Sequence, residues 1–384
     1  MAQRMALIGG FAVGVLLLAY HLLSRPPSYT PPEPLPPLRI RTQEVAAAHS
    51  GHFVGIQPFL TPADYAHPEQ FRQRLEAYLD SARAAGCLAS PALVVFPEYI
   101  GTWLVLVGEA APAFRTTKLE EALFWAVFRR PWRFWRAYQK AKAEGWKDPA
   151  AAAIFRLKAA LMARTYHQTF AALARTYGLT IVAGSIVLPG ARVVGDSLVV
   201  EPEAPLENVS LLYHSDGRPD TYIVRKAFPI AAELGFTQPG RVAHLHPYET
   251  PLGRLGVLIC ADSWFPESYG ALGQVELLAV PSYLMGDSCW GRPWRGYSGW
   301  TTPSDVQQAS LTEGEAWLTY AMGGRLPRHD SAAIGLNVFL KGRFWELGAD
   351  GRGIIVAQGK SYATDADILC LRLQPYSSTS RRGE

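Results

Sequence analysis

Two spacings of apolar residues alternate along this chain. Phe53–Phe59 is a short apolar run that predicts a strand. Over Pro68–Ala85, residues Phe71, Leu75, Tyr78, Leu79 and Ala82 recur at the three-to-four spacing of one helix face. Ala92–Phe96 (ALVVF) predicts a buried strand that ends at Pro97-Glu98. Leu179–Leu188 predicts one strand and Val193–Val200 another. Asn208–His214 and Tyr222–Val224 flank Ser215-Asp216-Gly217, whose residue types make a turn, so the pair predicts a hairpin. Leu255–Ile259 runs straight into Cys260, and Val275–Val280 ends at Pro281. Ile334–Phe339, Gly353–Ala357 and Ile368–Leu373 complete the set. Many strands interleaved with a few helices predict a layered α/β or α+β domain over residues 48–376.

Two stretches depart from this plan. Met5–Ser24 contains no acid and no Lys or Arg. At 1.5 Å per residue it spans about 30 Å, the hydrocarbon thickness of a bilayer. It reads as a single transmembrane anchor; the alternative is a cleaved signal peptide. Arg4 favours a cytoplasmic N-terminus, which would place the globular part outside the cytoplasm. Residues 25–47 read as a linker, with RPPSYTPPEPLPPL at 25–38 as a polyproline tether reaching on the order of 40 Å. The second departure is Trp103–Tyr177, a mainly helical stretch between core strands. Between Ala122 and Ala143 it holds six Lys or Arg, seven aromatic residues and no acid. This composition suits a membrane interface, with rings at headgroup depth and cations near phosphates. An ordinary helix pair with its rings turned inward is the competing reading. Residues 377–384 are a polar tail.

Composition narrows the classes. Apolar residues make up 49% and charged residues 18%, enough for a sizeable core and too few charges for a disordered chain. A net charge of +4 over 384 residues points to no nucleic acid. The four cysteines are too few for a disulfide scaffold and lack zinc-ligand spacing. No glycine-rich phosphate loop is present.

Three residues stand where strands run out: Glu98 after LVVFP, Lys226 after YIVR and Cys260 after GVLI. Sheets place functional side chains at such ends. Singly, each has an ordinary explanation: a buried thiol, a turn glutamate, a surface lysine. Together they suit one chemistry. A thiol is a weak nucleophile until it loses its proton, a carboxylate can take that proton, and an ammonium can stabilise the anions that follow.

The segments VVFPEY around Glu98, YIVRKAFPIAAELGFTQPG around Lys226 and LGVLICADSWFPES around Cys260 resemble the carbon–nitrogen hydrolase (nitrilase) superfamily, in the family's order. VELLAVPS, ELGADGRGIIVAQG and DADILCLRL resemble its later strands, so the resemblance covers roughly residues 50–375. It implies a four-layer αββα sandwich with a Glu-Lys-Cys triad. Glu98 would be the general base and acid, Lys226 and the Ala261 N–H would bind the oxyanion, and a thioester would form on Cys260 without a cofactor. Glu233, seven residues after Lys226, matches a second glutamate that family members often carry. Tyr99, Trp264, Phe265 and Tyr283 are candidate pocket walls by position. Asp262 matches a frequent acid that fixes the turn.

The chain also departs from the family. CADSWFPE lacks the Cys-Gly-Glu context of true nitrilases, which disfavours nitriles. The helix that usually shapes the pocket and dimer contacts is replaced by SLTEGEAWLTYAMGGRLPRHDSAAIGLN. Three functions follow as expectations. The first is an amidase cleaving a linear, non-peptide amide at a membrane surface. The second is an N-acyltransferase moving the acyl group to a membrane-borne amine. The third is a membrane-tethered, non-catalytic scaffold. The expected partners are the lipid bilayer, an amide-containing small molecule or lipid-like substrate, and a second copy of the chain.

Overall fold

The computed structural model describes residues 20, 21, 24–307 and 310–376. Two sheets carry the architecture. In the first, the strand order is Ile40–Ala47, Ile368–Pro375, Gly51–Ile56, Ala92–Val95, Thr180–Val182, Leu206–Tyr213 and Pro219–Arg225, and Ile186–Pro189 also pairs with Leu206–Tyr213. In the second, the order is Tyr248–Thr250, Gly253–Val257, Leu277–Ser282, Ile334–Phe339, Gly353–Ala357 and Lys360–Thr364. Alternate residues of each strand face opposite ways. Phe53, Leu93 and Val95 therefore join Val257, Ala279 and Val338 in the core between the sheets. Val54, Val94 and Phe96 turn outward onto Phe71, Leu75 and Phe170. Those last residues belong to the helices Pro68–Ala84 and Pro149–Tyr177. Met322 and Leu326, from the Met322–His329 helix, pack on the second sheet at Gly335. The layers are helix, sheet, sheet, helix. At Gly55 the sheets approach so closely that an added Cβ would overlap Val338.

Local chemistry sets the element ends. The Pro149–Tyr177 helix starts with Pro149 at its first turn and an Asp148 side chain that accepts from Ala151 N at 2.9 Å. It stops at Gly178, whose φ of 66° is left-handed. The expected strand Leu179–Leu188 is two strands, Thr180–Val182 and Ile186–Pro189. Gly184, at φ 69°, turns the chain between them, and a Cβ there would run into the Pro97 carbonyl. Val193–Val200 likewise divides, into Arg192–Val194 and Ser197–Val199.

Residues 25–47 depart from the expected linker. Ile40–Ala47 is a strand paired in parallel with Ile368–Pro375. Only Val45 and Ala47 of it are buried, so its apolar alternation is too faint to read, and its ladder comes from the far end of the chain. The proline-rich segment also lies on the domain. The Pro27 carbonyl meets His67 Nε2 at 2.8 Å, Tyr29 Oη donates to Gln73 at 2.7 Å, and Arg74 donates to the Glu33 carbonyl at 2.8 Å. Leu35 and Leu38 pack on the core.

Of the apolar run Met5–Ser24, only Tyr20, His21 and Ser24 are described; the rest of the expected anchor, like the tail 377–384, lies outside the described residues. Among the described residues no helix is long and apolar enough to cross a membrane.

Cys87 and Cys370 form a disulfide with Cα atoms 5.7 Å apart, while Cys260 and Cys289 are free. Alkylation of the unfolded, unreduced protein is therefore expected to mark Cys260 and Cys289 alone, with Cys87 and Cys370 labelled only after reduction. Peptide mass mapping checks this, and labelling of Cys87 before reduction would remove the bridge.

Candidate active site

The strand ends bring Glu98, Lys226 and Cys260 together. Glu98 follows Ala92–Val95 by three residues, and Lys226 follows Pro219–Arg225 directly; both strands belong to the first sheet. Cys260 comes from the second sheet, opening the short helical turn Cys260–Trp264. Two turns here hold residues other than glycine at positive φ: Tyr99 at 64° and Cys260 at 50°. Such conformations are costly and persist where the surrounding structure imposes them.

Lys226 Nζ lies 2.7 Å from Glu98 Oε1 and 2.5 Å from Glu233 Oε2. All three side chains are buried. Glu233 also accepts from Tyr99 Oη at 2.8 Å and from Ile230 N at 2.9 Å. Glu233 is thus a member of the buried cluster. Asn208 Nδ2 reaches Glu98 and Glu233, 3.0 Å from each. Cys260 Sγ lies 4.0 Å from the Tyr283 carbonyl.

Asp262 joins the two halves of the site. Its carboxylate accepts from Ala227 N at 2.9 Å and Phe228 N at 2.8 Å, just beyond Lys226, and from Ile259 N at 3.2 Å, just before Cys260. Burial pushes it up to about 7, against the pull of Lys226 and of those three N–H groups.

Burial and charge separate the roles of the titratable groups. Burial raises the Glu98 carboxyl above the ordinary glutamate value of 4.5; Lys226 opposes this and Glu233 adds to it. Burial also raises the Cys260 thiol, and the Glu98 charge raises it further. Burial disfavours the charge on Lys226, but Glu233 and Glu98 outweigh it and hold the ammonium well above its usual range. Burial disfavours the charge on Glu233 too, yet Lys226 and the bonds from Ile230 and Tyr99 keep it below 4.5. The result is a Lys226–Glu233 ion pair beside a carboxyl and a thiol whose protonated forms are favoured by burial.

These groups open into a cavity of about 600 Å³. Ala261, Tyr99, Trp264, Phe265 and Tyr283 all line it. Tyr99 and Tyr283 face each other with ring centroids 5.8 Å apart, and the Tyr283 hydroxyl is buried without a partner. Phe265 stacks on Phe228 at 3.8 Å. The helical stretch after Trp103 supplies Leu106, Leu119, Leu123, Ile154 and Phe155 to the same wall. Asn208, Trp294, Tyr297, Trp317 and Trp345 escaped the sequence reading. Asn208 did leave a signal: an amide inside the apolar strand LENVSLLY must find partners when buried. Cys289 is not among the cavity-lining residues; its thiol donates to the Met285 carbonyl at 3.3 Å. Among the described residues no group of His, Cys, Asp or Glu is arranged to hold a metal.

The fold is mixed α/β, of the nitrilase type. The chain belongs to the carbon–nitrogen hydrolase family, which it matches over residues 54–299. Among solved structures it is similar to an amidase from Nesterenkonia sp. AN1, a double mutant in complex with acrylamide. That likeness has 15% identity, covers 87% of this chain and 94% of the other, and has a TM-score of 0.48. A second crystal structure of an amidase from Nesterenkonia sp. is 16% identical over 88% of this chain and 95% of the other, with a TM-score of 0.48. No curated protein matches the sequence.

Proposed function

We propose that this protein is an amidase-type hydrolase that cleaves a linear, non-peptide amide through a thioester on Cys260, at a membrane surface. The observation that carries this reading is the buried set of Cys260, Glu98, Lys226 and Glu233 opening into one largely apolar cavity. Cys260 Sγ attacks the amide carbon while its proton passes to Glu98. The oxyanion is held by Lys226 and by the Ala261 N–H, one of the first donors of a helical turn, which have no partner within the turn. Collapse breaks the carbon–nitrogen bond, and the amine leaves with the proton from Glu98. Water then gives a proton to Glu98 and its oxygen to the acyl carbon, releasing the acid and the thiol. Glu233 keeps Lys226 charged, and Asn208 orients both carboxylates. Tyr99, Trp264, Phe265 and Tyr283 bound the substrate.

Glu98 must be ionised to accept the thiol proton, so activity rises with pH as Glu98 deprotonates. Since its carboxyl is raised, the acid limb of kcat/KM is expected above 4.5. Lys226 is held charged well above its usual range, so its deprotonation adds no basic limb near neutrality. An acid limb below 4.5 would exclude Glu98 as the base.

A second reading, transfer of the acyl group to a membrane-borne amine, is favoured by the exposed rings Phe124, Trp132 and Trp135 on helices next to the cavity. Incubation with an acyl amide in vesicles containing a lipid amine separates the two. Release of free acid alone supports the hydrolase, and acylated lipid supports the transferase. The Cys87–Cys370 disulfide supports a domain outside the cytoplasm, where such bridges persist.

A further inference from the structure

The cavity beside Cys260 is larger than the reacting atoms need. Its volume of about 600 Å³ lies within the roughly 300–1,000 Å³ of pockets that take whole drug-sized ligands. Trp103, Leu106, Leu119, Leu123, Ile154 and Leu347 give its lining an apolar share far larger than the reacting groups require. Trp103 is fixed there by stacking on Phe344 with centroids 4.4 Å apart.

Leu119 and Leu123 lie four residues apart, on one face of the Leu119–Phe128 helix. The same helix also meets the surface, where Phe124 is 59% exposed. The following helix, Pro131–Ala143, exposes Trp132 at 78% and Trp135 at 55%. Arg133 and Arg136 are exposed between and beside those tryptophans. Rings and cations of this kind suit an anionic lipid surface, where rings lie at headgroup depth. Tyr20 marks where the N-terminal apolar run arrives. Its ring packs on Phe128 at 5.1 Å, and its hydroxyl donates to the Arg129 carbonyl at 3.2 Å. A cavity wall, an exposed aromatic–basic face and the end of an apolar segment of bilayer length thus fall on two consecutive helices.

We propose that the acyl part of the substrate is a long apolar chain drawn from an anionic bilayer and seated against Leu119 and Leu123, with its carbonyl carbon at Cys260. This rests on the amidase reading and adds the substrate class. The chemistry is unchanged: the acyl carbon–nitrogen bond breaks, the thioester forms, and the proton leaves with the amine.

The test uses the full-length protein in phosphatidylglycerol vesicles, with acetyl, octanoyl and palmitoyl amides of one amine. Because each buried methylene adds affinity, kcat/KM is expected to rise at least about a hundredfold from acetyl to palmitoyl. Leu123→Trp, and separately Leu119→Trp, should move the preferred chain to a shorter one. A flat chain-length profile, or one that neither variant moves, overturns the proposal. Combining Phe124→Ser, Trp132→Ser and Trp135→Ser should lower the rate on vesicle-borne palmitoyl amide about tenfold relative to dissolved octanoyl amide. An unchanged ratio removes the bilayer as the source. Native mass spectrometry of the full-length Cys260→Ala protein gives a readout free of catalysis. One retained palmitoyl amide per chain, lost in Leu123→Trp, supports the site even if no amide is turned over. Turnover of every amide with no chain retained overturns the site and leaves the amidase reading standing.

Discussion

Replacing Cys260 by alanine is expected to lower kcat by roughly a millionfold, the scale of losing a nucleophile, while the protein stays folded. The reason lies in how the thiol is held. Burial, and the Glu98 charge after it, push the thiol up and favour its protonated form. In the proposed mechanism the thiol becomes nucleophilic only when Glu98 takes its proton, and alanine would leave Glu98 and Lys226 with nothing to activate. The side chain lost is small, so the core between the sheets keeps its packing. Steady-state rates give the first half of this expectation, and the cooperativity and midpoint of urea unfolding give the second. A variant that keeps even a hundredth of the wild-type rate would contradict the assignment.

Lys226→Met is expected to unfold the protein more readily, by about 3–5 kcal/mol, as well as to inactivate it. A buried pair that loses one partner leaves a charge without compensation. Here the lysine is shared, so its loss leaves both Glu98 and Glu233 unpaired in a buried site. Both carboxyls would then have raised folded-state values. The stability they contribute is present below the unfolded-state value and is lost as pH rises through the folded one, so the deficit should be larger at neutral than at acid pH. Combining Lys226→Met with Glu98→Gln and Glu233→Gln should recover most of it. Urea midpoints across pH check this. A pH-independent deficit would mean that Lys226 acts through packing alone.

The site was legible in the sequence because strands end abruptly. Glu98, Lys226 and Cys260 each follow an apolar run, and the Ser215-Asp216-Gly217 turn fixed the strand that ends at Lys226. Glu233 could be found only through family resemblance, since nothing in its local pattern distinguishes it from a surface glutamate. Asn208 was missed because its importance is a matter of what it faces: Glu98 lies 110 residues away. Ile40–Ala47 was missed for a similar reason. A strand whose partner is Ile368–Pro375 draws its pairing from outside the local window, and its own alternation is weak. The helical stretch after Trp103 was recognised as aromatic and basic, but its inward face was not. Leu119 and Leu123 meet the cavity only because the fold lays that helix beside Trp103 and Leu347.

The acyl group is expected to pass through a covalent bond to Cys260. Rapid acid quench of the enzyme with an activated acyl amide, followed by peptide mapping, tests it directly. One acyl mass on the peptide containing Cys260, released by hydroxylamine, is the predicted result. An acyl group mapped to Cys289 or to a lysine, or turnover by the Cys260→Ala protein with no adduct at all, would contradict it.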